Sequence, residues 1–352
     1  MKISYPLIGN YGFIVQYFLE NILKDEIIKP PVITSKTLEL GSKYSPDFVC
    51  TPFKYTLGTM IESLEIGADT LIQLGGGCRY GYYHELQNQI LKDLGYKFQL
   101  INLISGGNHI KIKKLIKDYN LQIKYHKLPK YYFIIKRMIK YLDNIEDYIR
   151  KERCYEKNKG SFNRLEREMI DEFSKCKSLF KLRKIYKRYL KLFKSLPKVK
   201  PKKEIKVGII GELYTLMEPF ANYNLEQKLN DRGISVTRIT DASYLLFKKK
   251  KEVKKYLKEL KVKYRMGADA LDNIYHTDNM CKNDYDGIIH IKSSFCTPEI
   301  LVMPIIEDIA NKHNVPTIFF SMDMNTSETG FETRIEAFCD MLEMRKKWKS
   351  VI

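Results

Sequence analysis

No apolar run in the chain reaches the roughly 18 residues that cross a bilayer. The opening Met1-Lys2-Ile3-Ser4-Tyr5-Pro6 also lacks the long apolar core of a secretory signal. A cytoplasmic location with no membrane partner is therefore expected. The sequence has no Cys-x-x-Cys pair either, which removes the short-spaced ligand pair usual in zinc sites. Seven cysteines, an odd number, in 352 residues argue against a disulfide framework and for reduced thiols, some of them ligands.

The formal net charge of +19 raises nucleic-acid binding, but its distribution turns the argument. Residues 111–203 hold 30 Lys and Arg against 10 Asp and Glu, so the excess belongs to one middle segment and the rest of the chain is close to neutral. That segment lacks a zinc-knuckle, RNP-like or helix-turn-helix signature. Leu182, Ile185, Tyr189, Leu192 and Leu196 recur instead every three or four positions, as the buried stripe of amphipathic helices with a lysine-rich solvated face. A nucleic-acid partner is not expected; docking of an acidic protein or an anionic ligand is the functional alternative to simple solvation.

A chain of this length buries a large core and should form about two domains. From 1 to 110 strands and helices alternate: strands at Met1 to Tyr5, Thr70 to Leu74 and Phe98 to Ile104, helices over 10–23, 56–66 and 83–94, a further unit starting at Val32-Ile33, and a turn at Ser105 to Asn108. From 111 to 203 the pattern is helical. From 204 to 352 a second alternation follows, with strands at Lys206 to Glu212, Ile234 to Ile239, Asp286 to Ile291 and Thr317 to Phe320 and a closing helix over 333–347. The expected fold is α/β, two doubly wound parallel-sheet domains joined by a helical segment, with the site in the cleft between the domains. Ligands of such sheets bind at the carboxyl ends of the strands.

Three cysteines fall at those ends. Cys50 and Cys296 share the tripeptide Cys-Thr-Pro, and Cys78 follows Gly75-Gly76-Gly77. Proline two residues on suits the first turn of a helix, which puts each Cys-Thr-Pro thiol at a helix mouth, where unpaired amides favour the thiolate. Cys50 and Cys296 are expected in analogous places in the two halves, and the shared tripeptide reflects either an old duplication or only similar helix-start chemistry. Cys154, Cys176 and Cys339 read as core thiols, and Cys281 is expected at the opposite strand end from Cys296. A nucleophile pair with His84, His276 or His290 has no support in spacing. Iron–sulfur clusters tolerate widely separated ligands, and three cysteines leave one iron open; a structural metal in a basic nucleic-acid-binding protein is the rival from another class.

The stretches Cys50-Thr51-Pro52-x-Lys54, Gly75 to Tyr83, Gly208-Ile209-Ile210-Gly211-Glu212-x-Tyr214, Glu218-Pro219-x-x-Asn222, Phe295-Cys296-x-Pro298-Glu299 and Thr333 to Phe338 resemble the 2-hydroxyacyl-CoA dehydratase and benzoyl-CoA reductase D-component family, most closely its stand-alone, activase-related members. The likeness covers nearly the whole chain outside the basic middle. It implies that Cys50, Cys78 and Cys296 ligate a [4Fe-4S] cluster, with Lys54, Arg79 and Glu299 beside them as tuning residues. It further implies low-potential electrons from an ATP-hydrolysing activase with its own cluster, a small organic substrate such as an acyl-CoA thioester, and pairing as a homodimer or with a related D-type subunit. A non-catalytic electron relay or cluster-bearing scaffold is the alternative within the family. Too few cysteines are suitably placed for the family's double-cubane branch. Arg334 and Glu336 are expected to form a structural ion pair, and Glu212 to serve either the domain interface or the substrate.

Overall fold

A computed structural model describes residues 1–105, 108–109, 117–248, 250–264, 266–267 and 270–348. The turn expected between Ser105 and Asn108 runs through 106–107, outside the described residues. The chain forms two compact units, Met1–Lys136 and Arg137–Ile352, and each carries a four-stranded, all-parallel sheet.

In the N-terminal unit the order is β1 (Lys2–Ser4), α1 (Gly12–Ile22), β2 (Glu26–Ile27), α2 (Ser35–Tyr44), α3 (Thr51–Glu65), β3 (Thr70–Gln73), α4 (Tyr83–Asp93) and β4 (Gln99–Asn102), followed by a two-stranded antiparallel ribbon, β5 (Ile104–Ser105) and β6 (Asn108–His109). The sheet runs β2-β1-β3-β4. Val32-Ile33 starts no element; the pairing falls earlier, on β2, whose two residues are too short to show a period. Helix α3 is buried from Thr51 through Leu64. It lies so close to α2 that a Cβ on Gly41 would stand 1.7 Å from the Lys54 carbonyl oxygen, and one on Gly58 1.9 Å from that of Thr37. Reciprocal glycines thus let the two helix backbones touch, and the Thr37 hydroxyl donates to Glu62 across the seam at 2.7 Å. This clamp fixes the mouth of α3, where Cys50 sits.

Helix α5 (Leu128–Glu152) leads into the C-terminal unit, whose further elements are α6 (Ser161–Ser174), α7 (Leu179–Ser195), β7 (Ile205–Gly211), α8 (Leu213–Met217), α9 (Leu225–Asp231), β8 (Ile234–Arg238), α10 (Ala242–Phe247), α11 (Lys251–Glu259), α12 (Ala270–Lys282), β9 (Gly287–Ser293), α13 (Thr297–Lys312), β10 (Thr317–Met322) and α14 (Glu328–Trp348). The sheet order is β10-β9-β7-β8. Numbered within each unit, both sheets run second, first, third, fourth. Each therefore has its switch point between its first and third strands.

From Arg137 the basic helices fold with this second sheet. Asn230 Nδ2 donates to the Arg150 carbonyl at 2.8 Å, the Ser243 amide donates to Asp143 at 2.7 Å, and the buried Arg238 pairs with Glu226 at 3.0 Å. The buried stripe of α7 is Leu182, Ile185, Tyr189 and Phe193. Leu192, expected inside, is 41% exposed, because the stripe continues one position later through Phe193. Tyr186 stacks on Tyr141 with ring centroids 3.9 Å apart, so it is committed to packing. No helix among the described residues is long and apolar enough to cross a membrane.

Helices α12 and α13 cover one face of the C-terminal sheet through Ile274, Val302 and Ile306, while α14 covers the other at Gly287 with Phe338 and Leu342. Arg334 and Glu336 do not pair with each other. Two residues apart on a helix they face different ways: Arg334 donates to the Phe319 carbonyl at 2.8 Å, and Glu336 pairs with Arg232.

Candidate functional site

Cys50 is the residue immediately before α3, with extended backbone and proline in the first turn, as the Cys-Thr-Pro pattern predicts. Cys296 stands in the same relation to the 16-residue α13. Their places in the two sheets nevertheless differ. Cys50 lies within the crossover from the second strand to the third, whereas Cys296 lies between the third and the fourth. The topological counterpart of Cys296 is Cys78, which also follows a third strand and precedes the helix to the fourth. The repeated tripeptide reflects similar helix starts rather than equivalent positions.

Cys78 opens a single 3-10 turn, Arg79–Tyr82, rather than an α-helix, and its sulfur accepts from the Tyr80 amide at 3.5 Å. The glycines before it are held from below. Gln73 at the end of β3 accepts the Gly75 amide at 3.3 Å and donates to Gln87 of α4, which donates to the Thr56 hydroxyl of α3 at 2.8 Å. Gly75 has φ of 71°, a left-handed turn that glycine adopts without strain. A buried amide chain thus joins α3, α4 and the glycine loop in one rigid edge. Cys50 reaches the same edge, because its sulfur lies 3.5 Å from the Tyr83 hydroxyl at the start of α4.

Burial pushes the Tyr83 hydroxyl well above its ordinary range, neighbouring Cys50 adds to the rise, and Arg79 partly opposes it. The phenol consequently stays protonated and can donate to a Cys50 thiolate. Its ring packs edge-on against Phe53 at 4.8 Å, which fixes where the hydroxyl points. Lys54 is buried one turn into α3, whereas Arg79 is exposed.

In the C-terminal unit the carboxyl edge carries a denser polar group. Glu299 stands in the first turn of α13, where an acid favours the helix dipole, but its side chain points inward. It is 3% exposed, accepts from Asn273 Nδ2 of α12 at 3.0 Å, and lies 2.8 Å from His290 Nε2 on β9. Asn273 also donates to the Gly211 carbonyl at the end of β7. These bonds lace the mouth of α13 to both switch-point strands. Glu212, just past β7, caps α8 by accepting the Tyr214 and Thr215 amides at 2.8 and 2.9 Å. Burial pushes its carboxyl up, the Thr215 and Tyr214 bonds hold it down, and Glu299 adds to the rise.

Lys292 has no counterpart among the residues singled out from sequence. It occupies the same face of β9 as His290 and is 3% exposed. Its ammonium donates to the Ser321 hydroxyl at 2.9 Å and to the Ser293 carbonyl at 3.4 Å, and that carbonyl also accepts the Cys296 amide at 3.0 Å. Burial pushes the Lys292 pKa down, while Cys296 and Glu299 pull it back up.

The remaining thiols are built differently. Burial pushes Cys154 up to about 12 and Cys281 and Cys339 up to about 11, and Cys176, fully buried, donates to the Ser178 carbonyl. Cys281 lies near the end of α12, on the approach to the amino end of β9 and away from Cys296. The donor chemistry of Cys50, Cys78 and Cys296 suits an iron–sulfur group: three half-buried thiols at backbone openings, one with a protonated phenol beside it and one close to a buried ammonium. Two belong to the N-terminal unit and one to the C-terminal unit. Among the described residues no three His, Cys, Asp or Glu side chains are grouped as a metal site.

Residues 251–342 match the family described as 2-hydroxyglutaryl-CoA dehydratase, D-component. The matched stretch contains Asn273, His290, Lys292, Cys296 and Glu299. No curated protein matches the chain.

Proposed function

We propose, from the match of residues 251–342 to the 2-hydroxyglutaryl-CoA dehydratase D-component family, that this is a dehydratase-component-like redox protein in which Cys50, Cys78 and Cys296 hold one [4Fe-4S] cluster served by an ATP-hydrolysing activase. The observation that carries this reading is the equivalence of Cys78 and Cys296. Each sits at the carboxyl end of the third strand of a sheet with the same strand order, where open α/β sheets bind their ligands. The substrate is a small organic molecule, of which an acyl-CoA thioester is the leading class.

When bound, such a cluster supplies single low-potential electrons and, with three protein ligands, keeps one iron free of protein. The chain's own residues do the rest. The amides at the mouths of α3 and α13 favour thiolates, and the Tyr83 hydroxyl, 3.5 Å from the Cys50 sulfur, is placed to donate to it once it is a thiolate. Asn273 and His290 hold Glu299, and through it the mouth of α13, in one place. Lys54 and Arg79 contribute positive charge beside Cys50 and Cys78.

The test is ATP-dependent reduction. Iron-loaded protein mixed anaerobically with dithionite-reduced activase of a characterised 2-hydroxyglutaryl-CoA dehydratase should lose its visible charge-transfer absorbance only when ATP is added. Reduction that proceeds equally without ATP or without activase would remove the activase from this account.

A further inference from the structure

A buried lysine ordinarily sits against a carboxylate, because an ammonium taken out of water without an opposite charge is costly. Lys292 breaks that rule. It is 3% exposed, its hydrogen-bond partners are neutral oxygens of Ser293, Ser294 and Ser321, and no Asp or Glu forms an ion pair with it among the described residues. The nearest carboxylate on the facing helix, Glu299, is already committed to His290 and Asn273.

The geometry around it is that of a site for negative charge. Lys292 is the last but one residue of β9, and its ammonium shares the Ser293 carbonyl with the Cys296 amide. The first-turn amides of the 16-residue α13 open at the same place. Ser321, on the neighbouring β10, holds the ammonium there, and Ser294 is fixed by a 2.9 Å bond to Asp323. A lysine tethered this way cannot swing out to solvent.

We propose that Lys292 is the built-in counter-charge of the group that Cys296 ligates: its buried ammonium, tethered beside Cys296, compensates that group's negative charge and thereby sets its reduction potential. The inference rests on the reading of Cys296 as a ligand. It goes beyond it by assigning the tuning role in the C-terminal unit to a strand residue rather than to Glu299. Lys292 is a positioning and electrostatic residue that acts through Cys296.

Lys292→Met keeps the length of the side chain and removes the charge, and Lys292→Arg restores the charge. In iron-loaded protein, Lys292→Met should make one-electron reduction at least about tenfold less favourable, a potential about 59 mV lower, and Lys292→Arg should recover most of the difference. A second readout needs no iron. In metal-free, folded protein at neutral pH, iodoacetamide should alkylate Cys296 severalfold more slowly in Lys292→Met than in the parent, with Cys78 in the same sample unchanged. Wild-type protein that takes up no iron would defeat the cluster reading alone, and the alkylation contrast would still decide Lys292. Equal Cys296 alkylation in the parent and Lys292→Met, or an unchanged potential, would overturn the proposal. If Lys292→Met fails to fold, the decision passes to Lys292→Arg: a parent-like potential and Cys296 rate support the role of charge, and loss of both in folded Lys292→Arg overturns it.

Discussion

Replacing Cys296 by alanine is expected to take the iron content of anaerobically reconstituted protein from about four per chain to background, since three thiolates are the minimum that holds a cubane with one open iron. The same loss is expected for Cys50→Ala. No other thiol stands ready to substitute. Cys154 is pushed up to about 12 by burial, Cys281 and Cys339 to about 11, and Cys176 is sealed in the core with its thiol bonded to a carbonyl. Cys154, Cys281 and Cys339 would each need deprotonation against their surroundings before they could ligate anything, and Cys176 has no opening to a ligand. Cys154→Ala should therefore leave the iron content unchanged. Full iron retention in Cys296→Ala would mean that the cluster, if there is one, is held elsewhere.

The second large effect is structural and concerns Gly211, at the end of the first strand of the C-terminal sheet. Its φ is 140°, a backbone region that residues with a side chain rarely enter, and an added Cβ would stand 1.8 Å from the Ile291 carbonyl oxygen. That oxygen belongs to β9, the neighbour across the switch point, and it accepts the Glu212 amide at 2.9 Å. Neither backbone can move aside without breaking the pairing of β7 with β9. Gly211→Ala should accordingly cost about 4 kcal/mol or more, at the severe end of single substitutions. In urea the transition of the variant should fall to much lower concentration, or the protein should be insoluble. A midpoint equal to that of the parent would show that the sheet relaxes here, and that the close approach of the two strands does not set the site.

Much of this fold was legible because its signals are local. Thr70 to Leu74 and Asp286 to Ile291 are apolar runs bounded by turns, and they are β3 and β9; the prolines of Thr51-Pro52 and Thr297-Pro298 mark true helix starts. The two α/β units with parallel sheets follow from that alternation. What stayed hidden is what depends on pairing across the chain. The repeated Cys-Thr-Pro suggested equivalent positions, yet strand order makes Cys78 the counterpart of Cys296, and hydrogen-bonded neighbours cannot be read from a tripeptide. From sequence Glu299 is only a residue beside a ligand, while its actual partners, Asn273 and His290, come from α12 and β9. Helices α10, α11 and α12 were not anticipated between β8 and β9, so Asn273 had no expected place near the site. Lys292 was illegible for a simpler reason. At the end of a strand a lysine normally reaches water, and only the packing of α13 and β10 over it shows that this one does not.

Whether Cys50, Cys78 and Cys296 hold an iron–sulfur cluster is decided by elemental analysis of protein purified and reconstituted without oxygen. Iron, acid-labile sulfide and zinc should be measured on the same sample. About four iron and four sulfide per chain, with zinc at trace level, are expected. Tightly bound zinc at one per chain, with no uptake of iron or sulfide, would contradict the cluster reading.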